Sequence, residues 1–376
     1  MMTSRKEFLE DALKLAEKGR GLVSPNPMVG AVIASGRRVL GRGWHKAFGM
    51  PHAEIEALRE AGGRAKGATL YVNMEPCCHY GKTPPCTGAI IESGIKEVVC
   101  SMEDLNPLVS GKGIAELEKN GIKVRTGVMR EEAERLNAPY ITYITKKRPY
   151  IALKWAQTLD GKTAAYTGDS KWITGEETRE FAKKIRFEMD GILVGVKTVI
   201  KDNPFLDYRF PPFQTQKSFT AGKRYYKIVL DPFLKMPTEG NIWQNRNSRV
   251  LLAVSEGLPA ERMEPFSRRE NAEFIKLPVY NNRFRLKALM EKLHEKEIGI
   301  IMVEGGSETL TSFWEEKLAD EIMVFTGNKI LGGKRSFASI AGRDSSSFSE
   351  AVSVEYSETK ILGEDVFIRG KPCFRE

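Results

Sequence analysis

Histidine and cysteine are scarce in this chain, whose 376 residues include four histidines and five cysteines. An odd number of cysteines spread over a long chain argues against a disulfide framework and is typical of a reducing compartment, where thiols stay free. No apolar run is long enough to cross a bilayer, and the N-terminal segment lacks the uninterrupted apolar centre of a signal peptide. We therefore expect a soluble, cytoplasmic protein with no membrane partner.

The length exceeds that of one ordinary core and predicts two domains. Hydrophobic residues make up 41% of the chain and charged residues 28%, which is the composition of a globular protein. The formal net charge is +9. Positive charge attracts nucleic acid and phosphorylated small molecules alike, so charge alone does not decide between these two kinds of partner.

Helical and strand patterns alternate through the first 146 residues. Ser4 and Glu7 have the spacing of a capping box, which predicts a first helix that begins near Ser4 and ends at Gly19. A hairpin pattern follows at residues 24–45, and helices and strands then alternate as far as "KVRTGV". This alternation is typical of a sheet covered by helices and predicts an α/β domain at residues 1–146.

A basic joint that contains proline, Lys146–Pro149, marks the boundary to a second domain at residues 147–376. Downstream of it, the apolar runs "GILVGV", "KIVLD", "RVLLAV" and "IGIIMVEGG" predict strands, and the segments between them include helical patterns. The second half is therefore also expected to be α/β. Its polar stretch at 210–224, which contains proline and glycine, is predicted to be a surface loop.

Three of the five cysteines and His52 lie in two short segments, "GMPHAEIEAL" at 49–58 and "EPCCHYGKTPPC" at 75–86. Zinc takes four tetrahedral ligands, and a catalytic site leaves one position to water. His52, Cys77 and Cys86 would supply three ligands, with the adjacent Cys78 as an alternative to Cys77. Both ligand cysteines are predicted to precede or open a helical turn, where the helix dipole favours thiolate. Glu54, in the first turn of a helix after His52, is in the position of a proton shuttle.

The order His-Ala-Glu, then Pro-Cys, then a second Cys matches the signature of zinc nucleoside and nucleobase deaminases, in which zinc-activated water attacks a ring carbon. The usual Cys-x-x-Cys spacing is absent, since eight residues separate Cys77 from Cys86. Each residue alone has a commoner explanation, a histidine at a helix start or a small core cysteine. Their combination with Pro76 and Glu54 favours the metal site.

The segments "SPNPMVG", "HAE" and "EPCCHYGKTPPC" resemble the bifunctional riboflavin-biosynthesis deaminase/reductase family. The long cysteine spacing is this family's form, and the family's ligand is the cysteine directly after the proline, here Cys77. The resemblance implies a cytidine-deaminase-like α/β/α domain that acts on a diaminopyrimidinone carrying ribose 5-phosphate. It also implies substrate contacts from Asn26, His45, His79 and Lys82, although a solvated loop is the alternative for His79 and Lys82.

The segments "LKWAQTLDGKTA", "SKWITG", "GVKTVIKDNPFLDYR" and "VEGGSETL" resemble the reductase half of the same family. This implies a fold similar to dihydrofolate reductase, with NADPH as hydride donor. The implied substrate contacts are Ser170, Arg186, Leu206, Arg209 and Glu304. The implied cofactor contacts are Ala156, Trp172, Thr198, Asp202, Gly306, Ser307, Glu308, Thr309, Leu310, Thr311 and Ser312.

Several of these reductase positions have alternative interpretations from their local sequence. An apolar run leads into Gly305 and Gly306, and a helix pattern follows, so backbone amides at the helix start are available to an anion. The segment lacks the Gly-x-Gly-x-x-Gly fingerprint, so a Rossmann domain is not indicated. Arginine suits a sugar phosphate, yet Arg186 follows two lysines and fits a solvated helix face. Trp172 fits core packing, and Asp202 fits the start of a turn.

The hypothesis is a two-step enzyme with zinc and NADPH, a phosphorylated pyrimidine as its small-molecule substrate and no nucleic-acid partner. One rival is a nucleic-acid base deaminase with an appended binding domain, but the C-terminal half lacks an obvious interleaving of basic and aromatic residues. Another is a structural zinc module with a regulatory half, which needs a fourth protein ligand such as Cys78 or His79. A homodimer or homotetramer is implied by the family resemblance alone.

Overall fold

The computed structural model describes residues 2–80, 84–208, 222–245, 247–342 and 344–375, with the backbone alone for 2–5. The chain divides into two compact units, one that ends at Arg148 and one that starts at Pro149. Gly222 and Lys223 group with the first unit. None of the helices within the described ranges is long and apolar enough to cross a bilayer.

The first unit has a single sheet with helices on both faces. In chain order its elements are α1 (Met2–Glu17), β1 (Gly30–Ser35), β2 (Arg38–Trp44), α2 (Ala53–Ala61), β3 (Thr69–Val72), α3 (Cys86–Glu92), β4 (Glu97–Cys100), α4 (Lys112–Lys119), β5 (Lys123–Arg125), α5 (Arg130–Leu136) and α6 (Ala138–Lys146). The strand order is β2-β1-β3-β4-β5. β1 is antiparallel to β2 and β3, whereas β3, β4 and β5 are parallel.

Both faces of this sheet are covered, which explains why β1 is apolar throughout rather than alternating. On one face, Leu9 and Ala12 of α1 pack against Val32. On the other face, Ala53 and Ala57 of α2 pack in one core with strand residues and with parts of α3 and α4. The result is the α/β/α arrangement that the sequence predicts.

Helix α2 lies unusually close to β2 because the strand offers two glycines to it. A Cβ atom on Gly43 would lie 2.1 Å from the carbonyl oxygen of Ala53, and one on Gly41 would lie 2.3 Å from that of Ala57. No side chain fits at those distances, so the helix backbone packs directly on the strand backbone. This contact fixes the start of α2, where His52 and Glu54 are found.

The second unit is built on a nine-stranded sheet. In chain order its described elements are β6 (Tyr150–Gln157), β7 (Lys162–Ala164), α7 (Glu176–Ile185), β8 (Gly191–Gly195), α8 (Val196–Asp202), β9 (Tyr226–Leu230), β10 (Arg249–Ser255), α9 (Ala260–Ser267), β11 (Ala272–Leu277), β12 (Val279–Tyr280), β13 (Arg283–Phe284), α10 (Leu286–Glu295), β14 (Ile300–Glu304), α11 (Ser307–Glu315), β15 (Glu321–Thr326), β16 (Phe337–Ala338), β17 (Ser353–Leu362) and β18 (Asp365–Cys373). The order in the large sheet is β11-β10-β9-β8-β14-β6-β15-β18-β17. It is parallel as far as β15, and β18 and β17 extend it antiparallel.

Successive side chains of the central strands pack into two different cores, one on each face of the large sheet. In β6, Ile151 and Leu153 belong to the core with α10 and α11, and Ala152 belongs to the core with α7, α8 and α9. The prediction of an α/β fold in both halves is confirmed.

Several element boundaries differ from the predictions. Helix α1 begins at Met2 rather than near Ser4, and it ends at Glu17 before the predicted Gly19. Helix α6 is not predicted by its sequence pattern, because its segment "APYITYITK" is rich in β-branched and aromatic residues, which weaken a helical pattern. The predicted loop at 210–224 lies outside the described residues apart from its last three positions.

The close packing of α2 on β2 predicts that Gly43→Ala destabilises the first unit by about 1–3 kcal/mol or more, since the added methyl group forces helix and strand apart. Gly63→Ala is the matched control, because a Cβ there meets no atom within 4 Å. The free energy of unfolding in urea measures both variants. Equal stability of the two would contradict the packing argument.

Candidate active sites

His52 and Glu54 are placed by the start of α2. His52 is the residue that precedes the first helical turn, and its backbone is extended. Glu54 lies inside that first turn, as predicted, and its residue is only 3% exposed. Both therefore project from the segment that the glycine contacts hold against β2.

Three soft donor atoms converge beside this helix start. The Nδ1 atom of His52 lies 3.5 Å from Sγ of Cys77 and 3.3 Å from Sγ of Cys86. The three side chains offer ligand atoms that all lie within 4.8 Å of one another. Cys78, the alternative to Cys77, is not part of this group.

The two cysteines reach the site from different backbone settings. Cys86 is the first residue of α3, as predicted. Cys77 lies in the loop after β3, so the prediction that it precedes or opens a helical turn is wrong. Its sulfur nevertheless accepts a hydrogen bond of 3.4 Å from the Cys86 backbone N–H, the first amide of α3. Cys77 therefore meets the start of α3 through the fold, although it is not adjacent to that helix in the sequence.

The surroundings of Cys77 and Cys86 favour one thiolate even without a metal ion. Hydrogen bonding from the Cys86 thiol, and then from His52, lowers the pKa of Cys77 to about 4. The same bond with Cys77, together with burial, raises the pKa of Cys86. Two cysteines and one imidazole within this distance fit zinc, because as two thiolates and a neutral imidazole they leave the ion formally neutral and one tetrahedral position open.

Glu54 is a buried carboxyl group beside these donors. Its Oε2 atom has no hydrogen-bond partner among the described residues. Burial raises the pKa of Glu54 to about 6, although the neighbouring His52 opposes the shift. A carboxyl group that exchanges a proton near neutral pH and has an unused oxygen is suited to acid/base catalysis.

Two of the predicted substrate contacts of this site, His45 and Asn26, form a pair. His45 is 2% exposed, and burial lowers its pKa to about 4, so its imidazole is neutral. Nδ1 of His45 lies 3.2 Å from the carbonyl oxygen of Pro51, which fixes the proton on Nδ1. Nε2 then accepts from the Asn26 amide at 3.4 Å.

The remaining predicted contacts of this site are His79 and Lys82. His79 is partly buried, and its Nδ1 atom has no partner within the part of the chain that the structure describes. Lys82 lies outside the described residues.

Sequence reasoning missed the residues that hold these loops in place. Asn73 and Asn137 both hydrogen-bond to the backbone of Met28 and so fix the segment that carries Asn26. Glu75 accepts backbone N–H bonds of 3.0 to 3.1 Å from three residues. For Asn73, the signal in the sequence is a polar residue directly after the apolar strand β3. The three donors to Glu75 are Asp104, Gly111 and Ile114.

In the second unit, the predicted substrate contacts Glu304 and Arg186 form a partly buried ion pair. Nε and Nη2 of Arg186 each donate to the Glu304 carboxylate at 2.8 Å. The Nζ atom of Lys154, from the adjacent strand, lies 3.8 Å from Glu304. Burial raises the pKa of Glu304, but the two cations outweigh it and hold the pKa at about 2. Glu304 is therefore ionised at neutral pH.

The interpretation of Arg186 as a residue on a solvated helix face is wrong. Its side chain is 17% exposed, and a third donor, Nη1, bonds the carbonyl oxygen of Asp207 at 3.1 Å. Leu206, beside Asp207, is buried with a positive φ of 55°. Ser170 is partly buried, and Arg209 lies outside the described residues.

The ends of β8 and β14 form a concave backbone surface at the start of two helices. A Cβ atom on Gly195 would lie 2.8 Å from Oγ1 of Thr309, and Gly305 has a φ of 155° that only glycine adopts readily. Thr198 lies against Gly305. Ser307, in the first turn of α11, has a buried hydroxyl with no partner among the described residues. Such a surface suits the phosphates of a nucleotide.

The other predicted cofactor contacts are spread more widely. Trp172 is 60% exposed, so the interpretation as core packing is wrong, and the guanidinium of Arg179 lies 4.2 Å from its ring centroid. Asp202 lies at the C-terminal end of α8, away from the glycine surface. The side chain of Leu310 is in the core, and Oγ1 of Thr311 accepts the Ala341 N–H.

Three further predicted cofactor positions have the following surroundings. Ala156 is partly buried on β6. The exposed Glu308 pairs with Lys197 at 2.8 Å. The hydroxyl of Ser312 donates to the Glu308 carbonyl oxygen at 2.9 Å, so it is engaged by its own helix.

Comparison with known families assigns both units. Residues 2–102 match the cytidine and deoxycytidylate deaminase zinc-binding region, and residues 149–368 match the RibD C-terminal domain. Together with the donor atoms of His52, Cys77 and Cys86, the first match defines a zinc-dependent deaminase. The second defines a reductase joined to it in one chain.

Relatives match this chain over nearly its whole length. Riboflavin biosynthesis protein RibD of Aquifex aeolicus is 45% identical over 96% of this chain and 97% of its own. That of Escherichia coli is 36% identical over 96% and 97%. Among solved structures, Acinetobacter baumannii RibD matches with a TM-score of 0.87 and 30% identity over 99% of both chains. A Thermotoga maritima deaminase/reductase matches with a TM-score of 0.81 and 35% identity over 99% of both.

The chain belongs to the RibD family of riboflavin biosynthesis. It is a bifunctional enzyme with a deaminase and a reductase activity, and it acts on a small molecule.

The geometry predicts that Cys77→Ser and Cys86→Ser lose zinc while Cys78→Ser keeps about one ion per chain. Loss of a ligand is expected to weaken binding by more than roughly a hundredfold, since even residues behind the ligands contribute ten- to a hundredfold. Metal analysis after dialysis against a chelator measures the zinc content. Loss of zinc from Cys78→Ser, with retention in Cys77→Ser, would exchange the roles of the two cysteines.

Proposed function

We propose that the chain deaminates a diaminopyrimidinone carrying ribose 5-phosphate and then reduces the ribosyl group of the product to ribityl with NADPH. The Thermotoga maritima protein is named as a diaminohydroxyphosphoribosylaminopyrimidine deaminase/5-amino-6-(5-phosphoribosylamino)uracil reductase, which supports this substrate. The observation that carries the proposal is the convergence of three soft donors beside the Glu54 carboxyl group, whose Oε2 atom has no hydrogen-bond partner among the described residues.

The deaminase domain, proposed at residues 1–146, replaces the 2-amino group with oxygen from water and releases ammonia. His52, Cys77 and Cys86 would hold the zinc ion, which would supply Lewis acidity near neutral pH. The Glu54 carboxyl group takes a proton from the attacking water and delivers it to the departing amino group, because its pKa of about 6 lets it exchange protons near neutral pH.

The neutral His45 and Asn26 pair, with His79 and Lys82, contacts the substrate of this step. The fixed proton on Nδ1 of His45 leaves Nε2 facing Asn26, so the two side chains support one another. Because the two side chains are already ordered, they can orient the planar ring of the substrate without a further loss of side-chain conformational entropy on binding.

The reductase domain, proposed at residues 147–376, adds a hydride to the first carbon of the sugar chain. NADPH supplies that hydride. The surface formed by Gly195, Gly305 and the start of α11 holds the phosphates of the cofactor, and segment 306–312 with Ala156, Trp172, Thr198 and Asp202 completes its site. Glu304, Arg186, Leu206, Ser170 and Arg209 contact the sugar phosphate and ring of the substrate.

We also propose a cytoplasmic homo-oligomer with no nucleic-acid partner. The five unpaired cysteines support a reducing compartment.

Glu54→Gln tests the proposal. This variant is expected to keep zinc but to lose deamination by roughly a hundred- to ten-thousand-fold, the contribution of a positioned acid/base. Given the diaminopyrimidinone, it should release little ammonia and oxidise little NADPH. Given 5-amino-6-(5-phosphoribosylamino)uracil, it should oxidise NADPH at the wild-type rate.

Glu56→Gln is the matched control, because Glu56 lies on the same helical turn and is partly buried, and its carboxylate pairs with Lys46 and Arg59. Ammonia release and absorbance of NADPH measure the two steps separately. Full deamination by Glu54→Gln would remove Glu54 from the mechanism, and a wild-type enzyme that uses NADH equally well would contradict the choice of NADPH.

A further inference from the structure

Lys227, the second residue of β9, is a fully buried lysine. Its side chain has no exposed surface, and its neighbours on the same face of the sheet are the apolar residues of one core. Burial lowers the pKa of Lys227, and Asp207 opposes that shift. A buried charge is costly unless it is paired and hydrogen-bonded, so its partners are informative.

The ammonium group of Lys227 joins two loops that are distant in sequence. Its Nζ atom lies 2.8 Å from Oδ1 of Asp207 and donates to the carbonyl oxygen of Ile242 at 3.1 Å. The Asn245 side-chain amide also donates to Oδ1 of Asp207, at 3.2 Å. Asp207 is thus held by a cation and by an amide from the second loop.

Asp207 leads directly to the predicted substrate contacts of the reductase. Its backbone carbonyl accepts from Nη1 of Arg186, whose other two donors clamp the Glu304 carboxylate. The preceding residue, Leu206, has a positive φ and accepts a hydrogen bond of 3.2 Å from the Tyr225 hydroxyl. The Leu206–Asp207 backbone is therefore fixed from three sides.

We propose that Lys227 is a positioning residue of the reductase, which acts through Asp207 to hold Arg186, Glu304 and the Leu206 backbone in their substrate-binding arrangement. The proposal rests on the proposed function, since it takes Glu304, Arg186 and Leu206 as substrate contacts. The side chain of Lys227 is fully buried against Asp207, so we assign it a positioning role rather than direct contact with a ligand.

The location of the pair argues for positioning rather than for stability alone. A buried ion pair is often no more stabilising than apolar residues of the same volume, so it is a weak means of holding a core together. It does impose direction, because the carboxylate must face the ammonium group. Here that direction sets where the backbone carbonyl of Asp207 meets Arg186.

The test compares Lys227→Met, Lys227→Arg, Asp207→Asn and the double variant Lys227→Met/Asp207→Asn in the full chain. Isothermal titration measures the dissociation constants of 5-amino-6-(5-phosphoribosylamino)uracil and of NADPH. Lys276→Met is the matched control, because Lys276 is an exposed lysine on β11 of the same sheet. Ammonia release by each variant reports that the first unit is folded, and retained NADPH binding reports that the second unit, which carries the substitutions, is folded.

Lys227→Met and the double variant are expected to bind the uracil substrate roughly ten- to a hundredfold more weakly, the effect of losing one charge-assisted contact. NADPH binding should stay within about twofold of the wild type, and Lys227→Arg should recover most of the substrate affinity, because both side chains are cationic donors. The double variant leaves no unpaired buried charge, so it tests the inference even where the single variant fails to fold.

Wild-type substrate affinity in the double variant would overturn the inference and leave the pair a structural one. Equal weakening of substrate and NADPH binding would overturn it as well, because it would indicate general loosening of the fold. A wild-type chain that binds the substrate but does not reduce it would contradict the proposed function, while the comparison of affinities among the variants would still decide the role of Lys227.

Discussion

The deaminase site depends on the direct contact between the backbone of α2 and the two glycines of β2. Because no side chain separates them, the first turn of the helix cannot shift relative to the sheet. His52 and Glu54 come from that turn, and Cys86 comes from the first position of α3. Two helix starts in one core therefore fix His52 and Cys86, and the first amide of α3 holds the loop residue Cys77 beside them.

The reductase unit fixes its polar site by charge rather than by close backbone contact. Glu304 is held between Arg186 and Lys154, and these charges lie at the edge of an otherwise apolar core. Burial strengthens each attraction and makes each unpaired group costly, so the network has one arrangement. Each site needs one fixed geometry for a few polar groups. The deaminase site obtains it from backbone packing, and the reductase site obtains it from paired charges.

The sequence was sufficient for the α/β character of both halves, for the helix that carries Glu54 and for the turn at Gly305, because each rests on a local pattern. It was insufficient where the partner is distant. Nothing near Lys227 indicates that it pairs with Asp207, and nothing near Glu75 indicates that it binds three amides between residues 104 and 114. The prediction that Cys77 precedes or opens a helical turn was wrong for the same reason, since Cys77 contacts the first amide of α3 only in the folded chain. Tertiary contacts decide these features, and periodicity does not encode them.

X-ray absorption at the zinc edge tests the central claim, a metal held by one imidazole and two thiolates with one position left for water. The account predicts two sulfur neighbours at about 2.3 Å and two nitrogen or oxygen neighbours at about 2.0–2.1 Å in the resting enzyme. Three sulfur neighbours would mean that Cys78 closes the site, and the account of a hydrolytic deaminase with Glu54 as its acid/base would then be wrong.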